Sequence, residues 1–178
     1  MLYDSVAFSG LPGSGKTTLT RILSDRIGWS KVSAGDYLRE RHRKEMPEVS
    51  FEEFYRGIPL EDLDKLNEWF VERAKQGRVI ADTRHVHIIG ANTLKIFVTA
   101  PLGIRAARAD LKKYLGKTRE EIPEILRQRE LDEVRKAQER WPAYNYRDPR
   151  HYQAIIDTER MTPEEEADCV MYLLGDLE

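Results

Sequence analysis

The stretch GLPGSGKTT at residues 10–18 constrains this chain more than any other. It fits G-x-x-x-x-G-K-[ST] at every fixed position, with Gly10, Gly15, Lys16 and Thr17. A short β-like run, SVAFSG at 5–10, leads into it. Helix periodicity leads out: Leu19, Ile22, Leu23 and Ile27 fall on one face, and Gly28 follows where a helix stops. Glycines in such a loop let the backbone wrap an anion with its N–H groups turned inward, at φ values other residues avoid. The helix that starts near Lys16 adds the partial positive charge of its N-terminus. Lys16 can reach β and γ oxygens, the Thr17 hydroxyl can ligand Mg²⁺, and Thr18 can bond a further phosphate oxygen. The whole run is therefore expected to bind ATP with Mg²⁺: Gly10, Leu11, Pro12, Gly13, Ser14, Gly15, Lys16, Thr17 and Thr18. The plain alternative is a glycine-rich turn with an accidental lysine, and the strand before and helix after it argue against that.

The rest of the chain alternates in the same way. Strand-like runs lie near 5–9, 30–33, 78–82, 94–99 and 153–157, separated by helical patterns. Ser50 reads as the cap of a short helix. LEDLDKLNEWFVERAK places Leu60, Leu63, Leu66, Phe70 and Ala74 on one side, with Gly77 at its end. Near the C-terminus Thr162, Pro163 and Glu165 form a capping box. Apolar strands without a polar face, alternating with helices, predict an α/β fold: a five-stranded parallel sheet covered on both sides, three layers in all. More than fifty residues separate the last two strands, mostly charged helix and too long for an ordinary crossover. They predict an excursion away from the sheet, a helical lid at about 105–140. The charge run at 112–140 reads first as a solvated helical region.

With 178 residues the chain is expected to form one domain. Its net charge of −2 comes from interspersed acids and bases, so no nucleic-acid or membrane face is expected. Cys169 is the lone cysteine, which excludes an internal disulfide and a cysteine-based metal cluster. With no long apolar run and no signal-peptide pattern, a cytoplasmic monomer is expected.

The phosphate loop does not name a reaction. A GTPase should carry N-K-x-D after a strand, and this chain has none. The arginines carry the next inference. Arg39 follows the second strand, and Arg84 lies two residues past Asp82 at the end of the third. Ligands of open α/β sheets bind at the carboxyl ends of strands, so both side chains project towards the loop's crevice. A guanidinium fork suits a phosphate monoester. A third set lies in the excursion: Arg105, Arg108, Arg119, Arg127, Arg129, Arg135 and Arg140. Asp132 stands three residues from both Arg129 and Arg135, so on a helix it can orient either. Arginines there would neutralise charge on a transferred phosphoryl group. A solvated helix with ordinary ion pairs is the alternative for any one of them.

These segments, in this order, resemble the nucleoside monophosphate kinases, and among them the short archaeal type of cytidylate kinase. VSAGDYLRE at 32–40 resembles the start of that family's monophosphate site, which implies a helical acceptor segment at about 36–76, with Ser33 and Arg39 as contacts. VIADTR stands where the family has a strand ending in D/E-G-R, which implies that Arg84 binds the acceptor phosphate and that Asp82 acts nearby, through water to the metal. KIFVTAPLGIRAARAD is similar to the strand and arginine-bearing helix that lead into the lid. RQRELDEVR resembles the lid-end pattern, which implies catalytic roles for Arg129 and Arg135 beside Lys16, with Asp132 between them. The resemblance implies ATP- and Mg²⁺-dependent phosphorylation of a nucleoside monophosphate, CMP before UMP or dCMP. Thr83 replaces the family's glycine, the HVHIIGANT that follows is unfamiliar, and Gln153 replaces an acid before the last strand. His85 and His87 are expected to be polar loop residues, with presentation of a base as the alternative. Adenylate kinases carry D-G-F-P-R where DTRHV stands here, and shikimate-type kinases carry a triple-glycine acceptor loop that is missing. A nucleotide-binding regulatory protein without turnover is the reading of another class; the intact lysine and arginines count against it.

Overall fold

The computed structural model describes residues 2–90, 92–111, 114 and 116–175. Its centre is a parallel sheet of five strands: β1 (Ser5–Gly10), β2 (Ser30–Ser33), β3 (Val79–Asp82), β4 (Thr93–Thr99) and β5 (Ala154–Asp157), in the order β2-β3-β1-β4-β5. These are the five expected strands, with ends moved by a residue or so. Every residue of β1 is buried, as befits a central strand covered on both faces.

Alternation along the strands divides the core. Val6 and Phe8 of β1, with Leu94, Ile96 and Val98 of β4, face α1 (Lys16–Ile27) and α7 (Pro163–Leu174), meeting Leu19, Leu23, Val170 and Leu174. Ala7, Val79 and Ala81 point the other way, towards Leu38 of α2 (Ala34–Glu45), Phe54 of α3 (Phe51–Gly57) and Leu63, Leu66 and Phe70 of α4 (Leu60–Lys75). Fully burying one such leucine or phenylalanine stabilises by about 1.5–3 kcal/mol. The result is the three-layer α/β arrangement that the alternation predicts.

The chain leaves β1 for β2 on one side of the sheet and, after β3, crosses to β4 on the other. The strand order therefore reverses at β1, and the crevice lies at its carboxyl end, where the glycine loop begins. Residue pairing puts Phe8, Ser33 and Asp82 at one level there.

The excursion between β4 and β5 contains α5 (Leu102–Arg108) and the long α6 (Ile122–Arg140). Lys112, where the charge run begins, lies outside the described residues. The expectation of a solvated helix is corrected by α6. It buries Ile122 and Leu126 against Ala106 of α5, and Ala137 against Tyr144, Tyr146 and Phe97. Glu130, Asp132, Glu133 and Lys136 are buried as well. Those charges are tolerated because each has a partner of opposite sign or a hydrogen bond. Among the described residues, no helix is long and apolar enough to cross a membrane.

Candidate active site

The loop between β1 and α1 is bent by three glycines with positive φ: Gly10 at 140°, Gly13 at 79° and Gly15 at 93°. Gly10 is required sterically, since a Cβ there would strike the Val98 carbonyl of β4. Gly15 stands at the helix start in the left-handed region and offers no side chain to cap it. Inside the loop, Leu11 donates to the Val98 carbonyl at 3.1 Å and Ser14 to the Leu11 carbonyl at 3.2 Å. Among the described residues, no such bond engages the N–H groups of Gly13, Gly15, Lys16 or Thr17. Ser14 Oγ is buried without a partner. A set of free donors at a helix N-terminus, with an orphaned buried hydroxyl beside them, is the arrangement an anion satisfies. The Thr17 hydroxyl is exposed at the rim, one residue past Lys16.

Lys16 is buried and folded back on its own loop, with Nζ donating to the Gly10 and Leu11 carbonyls at 3.0 Å each. Burial, then the neighbouring Arg84, lowers its pKa to about 7, against the pull of Asp82 and Glu133. The loop is braced from behind. Arg105 Nη1 donates to the Pro12 carbonyl at 3.0 Å and meets Glu130 at 2.7 Å, while its Nε donates to the Ala100 carbonyl. Arg108 holds Thr158, whose hydroxyl donates to the Ser14 carbonyl at 3.1 Å. Arg119 closes the end of α5 by donating to the Ala106 and Ala109 carbonyls. Arg105 fits neither reading open to the excursion's arginines, a solvated ion pair or a contact to the phosphoryl group. It is only 4 % exposed and serves the loop's backbone.

Arg84 sits beside Lys16. Its Nε and Nη2 donate to the two carboxylate oxygens of Glu133 on α6 at 2.8 and 3.2 Å. Its guanidinium lies 5.2 Å from the centre of the Tyr146 ring. Its carbonyl accepts from the Tyr144 hydroxyl at 2.6 Å. The Tyr-rich stretch after α6 is thus the seat of Arg84. Thr83, in place of the family's glycine, accepts from the His85 N–H at 3.1 Å and so stabilises the turn that delivers Arg84.

Arg129 Nε also donates to Glu133, at 3.1 Å. This corrects the expectation for Asp132, which orients Arg129 in no way seen here. Asp132 accepts from Gln128 and lies 3.8 Å from both Arg135 and Arg56. Helical geometry allows either choice; Glu133, at i+4 from Arg129, faces the sheet's crevice, whereas Asp132 faces α3. Arg135 is 70 % exposed and, among the described residues, pairs with Asp132 alone, away from the Lys16 cluster.

Ser33 caps α2, its hydroxyl accepting from the Asp36 N–H at 3.2 Å, so that helix begins at Ala34 and not near Asp36. Arg39, one turn further on, pairs with Asp36 at 3.2 Å and lies 5.7 Å from the centre of the Phe51 ring. Arg129 lies at the same distance from that ring. Burial, and then Arg129, lowers the pKa of Arg39. Lys16, Asp82, Arg84, Arg129 and Arg39 therefore share one electrostatic neighbourhood.

The histidines are not the polar loop residues expected. His85 pairs with Asn67 of α4 at 2.9 Å, and His87 packs 3.8 Å from the Tyr144 ring centre and 4.6 Å from that of Trp141. Burial, then the charges of His87 and Arg84, lowers His85 to about 4; burial, then His151 and Lys95, lowers His87 to about 4, so both are neutral at physiological pH. Among the described residues no group of three or more His, Cys, Asp or Glu could hold a metal.

Glu133, Tyr144 and Tyr146 are the site residues that sequence reasoning missed. The one available signal was the i, i+4 spacing of Arg129 and Glu133.

Comparison with known proteins places the chain among its relatives. Residues 9–97 match the family model described as AAA domain. The chain is 30 % identical over 172 residues to a cytidylate kinase of Methanopyrus kandleri, covering 90 % of this chain and 87 % of the relative. It is 33 % identical over 162 residues to a cytidylate kinase of Pyrococcus abyssi, covering 89 % and 87 %. Among solved structures, a shikimate kinase from Acinetobacter baumannii superposes with a TM-score of 0.61 at 15 % identity, covering 99 % and 96 %, a likeness of fold.

Proposed function

Because the chain belongs to the nucleoside monophosphate kinase family, alongside the archaeal cytidylate kinases, we propose that it moves the γ-phosphoryl group of ATP to a pyrimidine nucleoside monophosphate. CMP is the preferred acceptor, UMP and dCMP come next, and AMP is poor. One observation carries this reading beyond the family. Lys16 from the phosphate loop, Arg84 from the end of β3 and Arg129 from α6 converge on a single buried cluster. Three cations from three segments at the mouth of an anion cradle suit a group that passes between two phosphates.

Magnesium-bound ATP supplies the phosphoryl group. Its phosphates fit the free N–H groups of Gly13, Gly15, Lys16 and Thr17, with the Thr17 hydroxyl and, through water, Asp82 as the holders of the metal. No residue needs to form a covalent bond, because in-line transfer depends on positioning and charge neutralisation. Lys16 would turn from its own carbonyls to the transferring oxygens. Arg84 and Arg39 would hold the acceptor phosphate, with Ser33 beside it, and Arg129 would face the group in transit. For the base, the relatives' names and the missing D-G-F-P-R favour cytosine over adenine. A coupled assay across CMP, dCMP, UMP and AMP tests this: CMP should give the highest kcat/KM. AMP above CMP would overturn the base preference. No turnover with any of them would make the chain a binding module.

Residues 36–76 form the acceptor segment and 105–140 the lid in this proposal. The two are tied together here, since Arg140 meets Asp64 at 3.2 Å and Lys136 donates to the Arg56 carbonyl at 3.2 Å. Closing one therefore draws in the other. Amide exchange should show protection gained across 105–140 when a two-substrate analogue binds. Equal protection with and without it would make the segment a static part of the fold.

A further inference from the structure

Glu133 is a buried carboxylate that neither the phosphate loop nor the acceptor arginines require for their own chemistry. It accepts four hydrogen bonds, two on each oxygen. Oε1 takes Arg84 Nη2 at 3.2 Å and Arg129 Nε at 3.1 Å; Oε2 takes Arg84 Nε at 2.8 Å and the Tyr146 hydroxyl at 3.2 Å. A carboxylate has about four such positions, so Glu133 is saturated. It has no lone pair left for a substrate.

The atoms it uses on the arginines matter more. Arg129 is held by Nε, which leaves its terminal Nη1–Nη2 fork without a protein hydrogen bond among the described residues. Arg84 is held along its Nε–Nη2 edge, which leaves Nη1 open. A guanidinium is planar and rigid, so fixing its inner edge fixes where the outer nitrogens point. Tyr146 beneath the Arg84 plane and Tyr144 on the Arg84 carbonyl lock the remaining freedom. We propose that Glu133 is a positioning residue: it grips Arg84 and Arg129 by their inner edges, aiming the free nitrogen of Arg84 at the acceptor phosphate and the free fork of Arg129 at the phosphoryl group in transit. This rests on the kinase reading above and adds to it the device by which two segments, the end of β3 and α6, are aligned on one point.

The electrostatics agree. Burial pushes the Glu133 carboxyl up, but Arg84 and Arg129 outweigh it and hold it at about 2, so it is ionised at neutral pH. Lys16, Asp82 and the Tyr55 ring also face this cluster. Without the carboxylate, Lys16, Arg84 and Arg129 would repel one another and spread. Binding of a dianion would not suffer, because positive charge is gained. Alignment would.

That contrast defines the test. Glu133→Gln keeps the shape and removes the charge. Its kcat with CMP should fall roughly 30- to 100-fold, the scale of a displacement near 1 Å, while the acceptor KM stays within about threefold or falls. A purely structural role predicts a raised KM that tracks a lower Tm. Tyr146→Phe, which changes no charge and loses one bond to Glu133, should lower kcat in the same direction by roughly 3- to 10-fold. It keeps the question open to measurement if Glu133→Gln does not fold. Nitrogen-15 NMR of the wild type should show the Arg84 and Arg129 Nε–H signals slowed in exchange and both lost in Glu133→Gln, while the buried Arg105 Nε–H, bonded to the Ala100 carbonyl, stays slow. An unchanged kcat in both variants, or Nε–H signals indifferent to Glu133, would overturn the proposal. Wild-type turnover in the same assay separates that result from failure of the kinase reading, which would silence the wild type too.

Discussion

Replacing Lys16 with alanine is expected to lower kcat by roughly 10²–10³-fold with ATP and Mg²⁺ saturating, the usual effect of removing one preorganised donor at a developing charge. The ground for so large an effect is where the ammonium is kept. It is buried, bonded among the described residues to the Gly10 and Leu11 carbonyls, with the cations Arg84 and Arg129 and the anions Asp82 and Glu133 around it. The two backbone bonds and the pull of Asp82 and Glu133 are outweighed by burial and the like charges, which depress its pKa to about 7. The Tm of Lys16→Ala should therefore hold or rise while turnover collapses. That combination distinguishes a catalytic role from a fold-supporting one. The same geometry sets a sign for pH. As pH rises above 7, the empty loop loses its ammonium charge, and a triphosphate must recapture a proton in order to bind. ATP affinity should fall as pH rises from 7 towards 10.5, with proton uptake seen by calorimetry in buffers of different ionisation enthalpy. The uptake should vanish in Lys16→Ala. Near-normal turnover by that variant would remove the loop from the reaction.

The parts of the site that depend on local spacing were legible in the sequence. The loop is one continuous stretch whose glycines have backbone reasons to be there, and its strand and helix follow from residue periodicity. Arg39 and Arg84 were placed by one rule, that strand ends face the crevice, and the structure puts both there. What the sequence concealed is pairing between segments. Asp132 and Glu133 are adjacent acids on one helix, and a helical wheel gives both a neighbouring arginine. Only the rotation of α6 against Tyr144, Tyr146 and Phe97 decides that Glu133 faces the cluster. Arg105 shows the same limit. It reads as one of a series of surface arginines, and it is buried because α5 crosses behind the loop, where the Pro12 and Ala100 carbonyls need a donor. The histidines were misread for a related reason: a polar residue after a strand says nothing of the aromatic rings that a segment some sixty residues away brings over it.

Arg84→Ala is expected to raise the acceptor KM by roughly 10²-fold and leave the KM for ATP nearly unchanged. The estimate follows from losing charge-assisted hydrogen bonds worth about 1.5–3 kcal/mol each. The alanine also strips Glu133 of its main partner. Breaking a buried pair from one side destabilises by about 3–5 kcal/mol, so a lower Tm is expected as well. Arg84→Lys is the informative companion. It retains the charge near Glu133 but replaces a fork held along one edge with a single ammonium, so it should recover much of the Tm and little of the KM. Arg39 has no such buried partner. Its pairing with Asp36 is half exposed, and it rests against Phe51, so Arg39→Ala should leave Tm nearly unchanged and raise the acceptor KM by roughly tenfold. In both variants kcat falls too, because a loosely held acceptor spends less time in line. Steady-state kinetics with each substrate varied in turn decide the assignment. An Arg39 variant with an altered ATP KM and an unchanged acceptor KM would move that arginine to the donor side. An Arg84→Lys variant with wild-type acceptor KM would show that charge alone, without the fork, holds the acceptor phosphate.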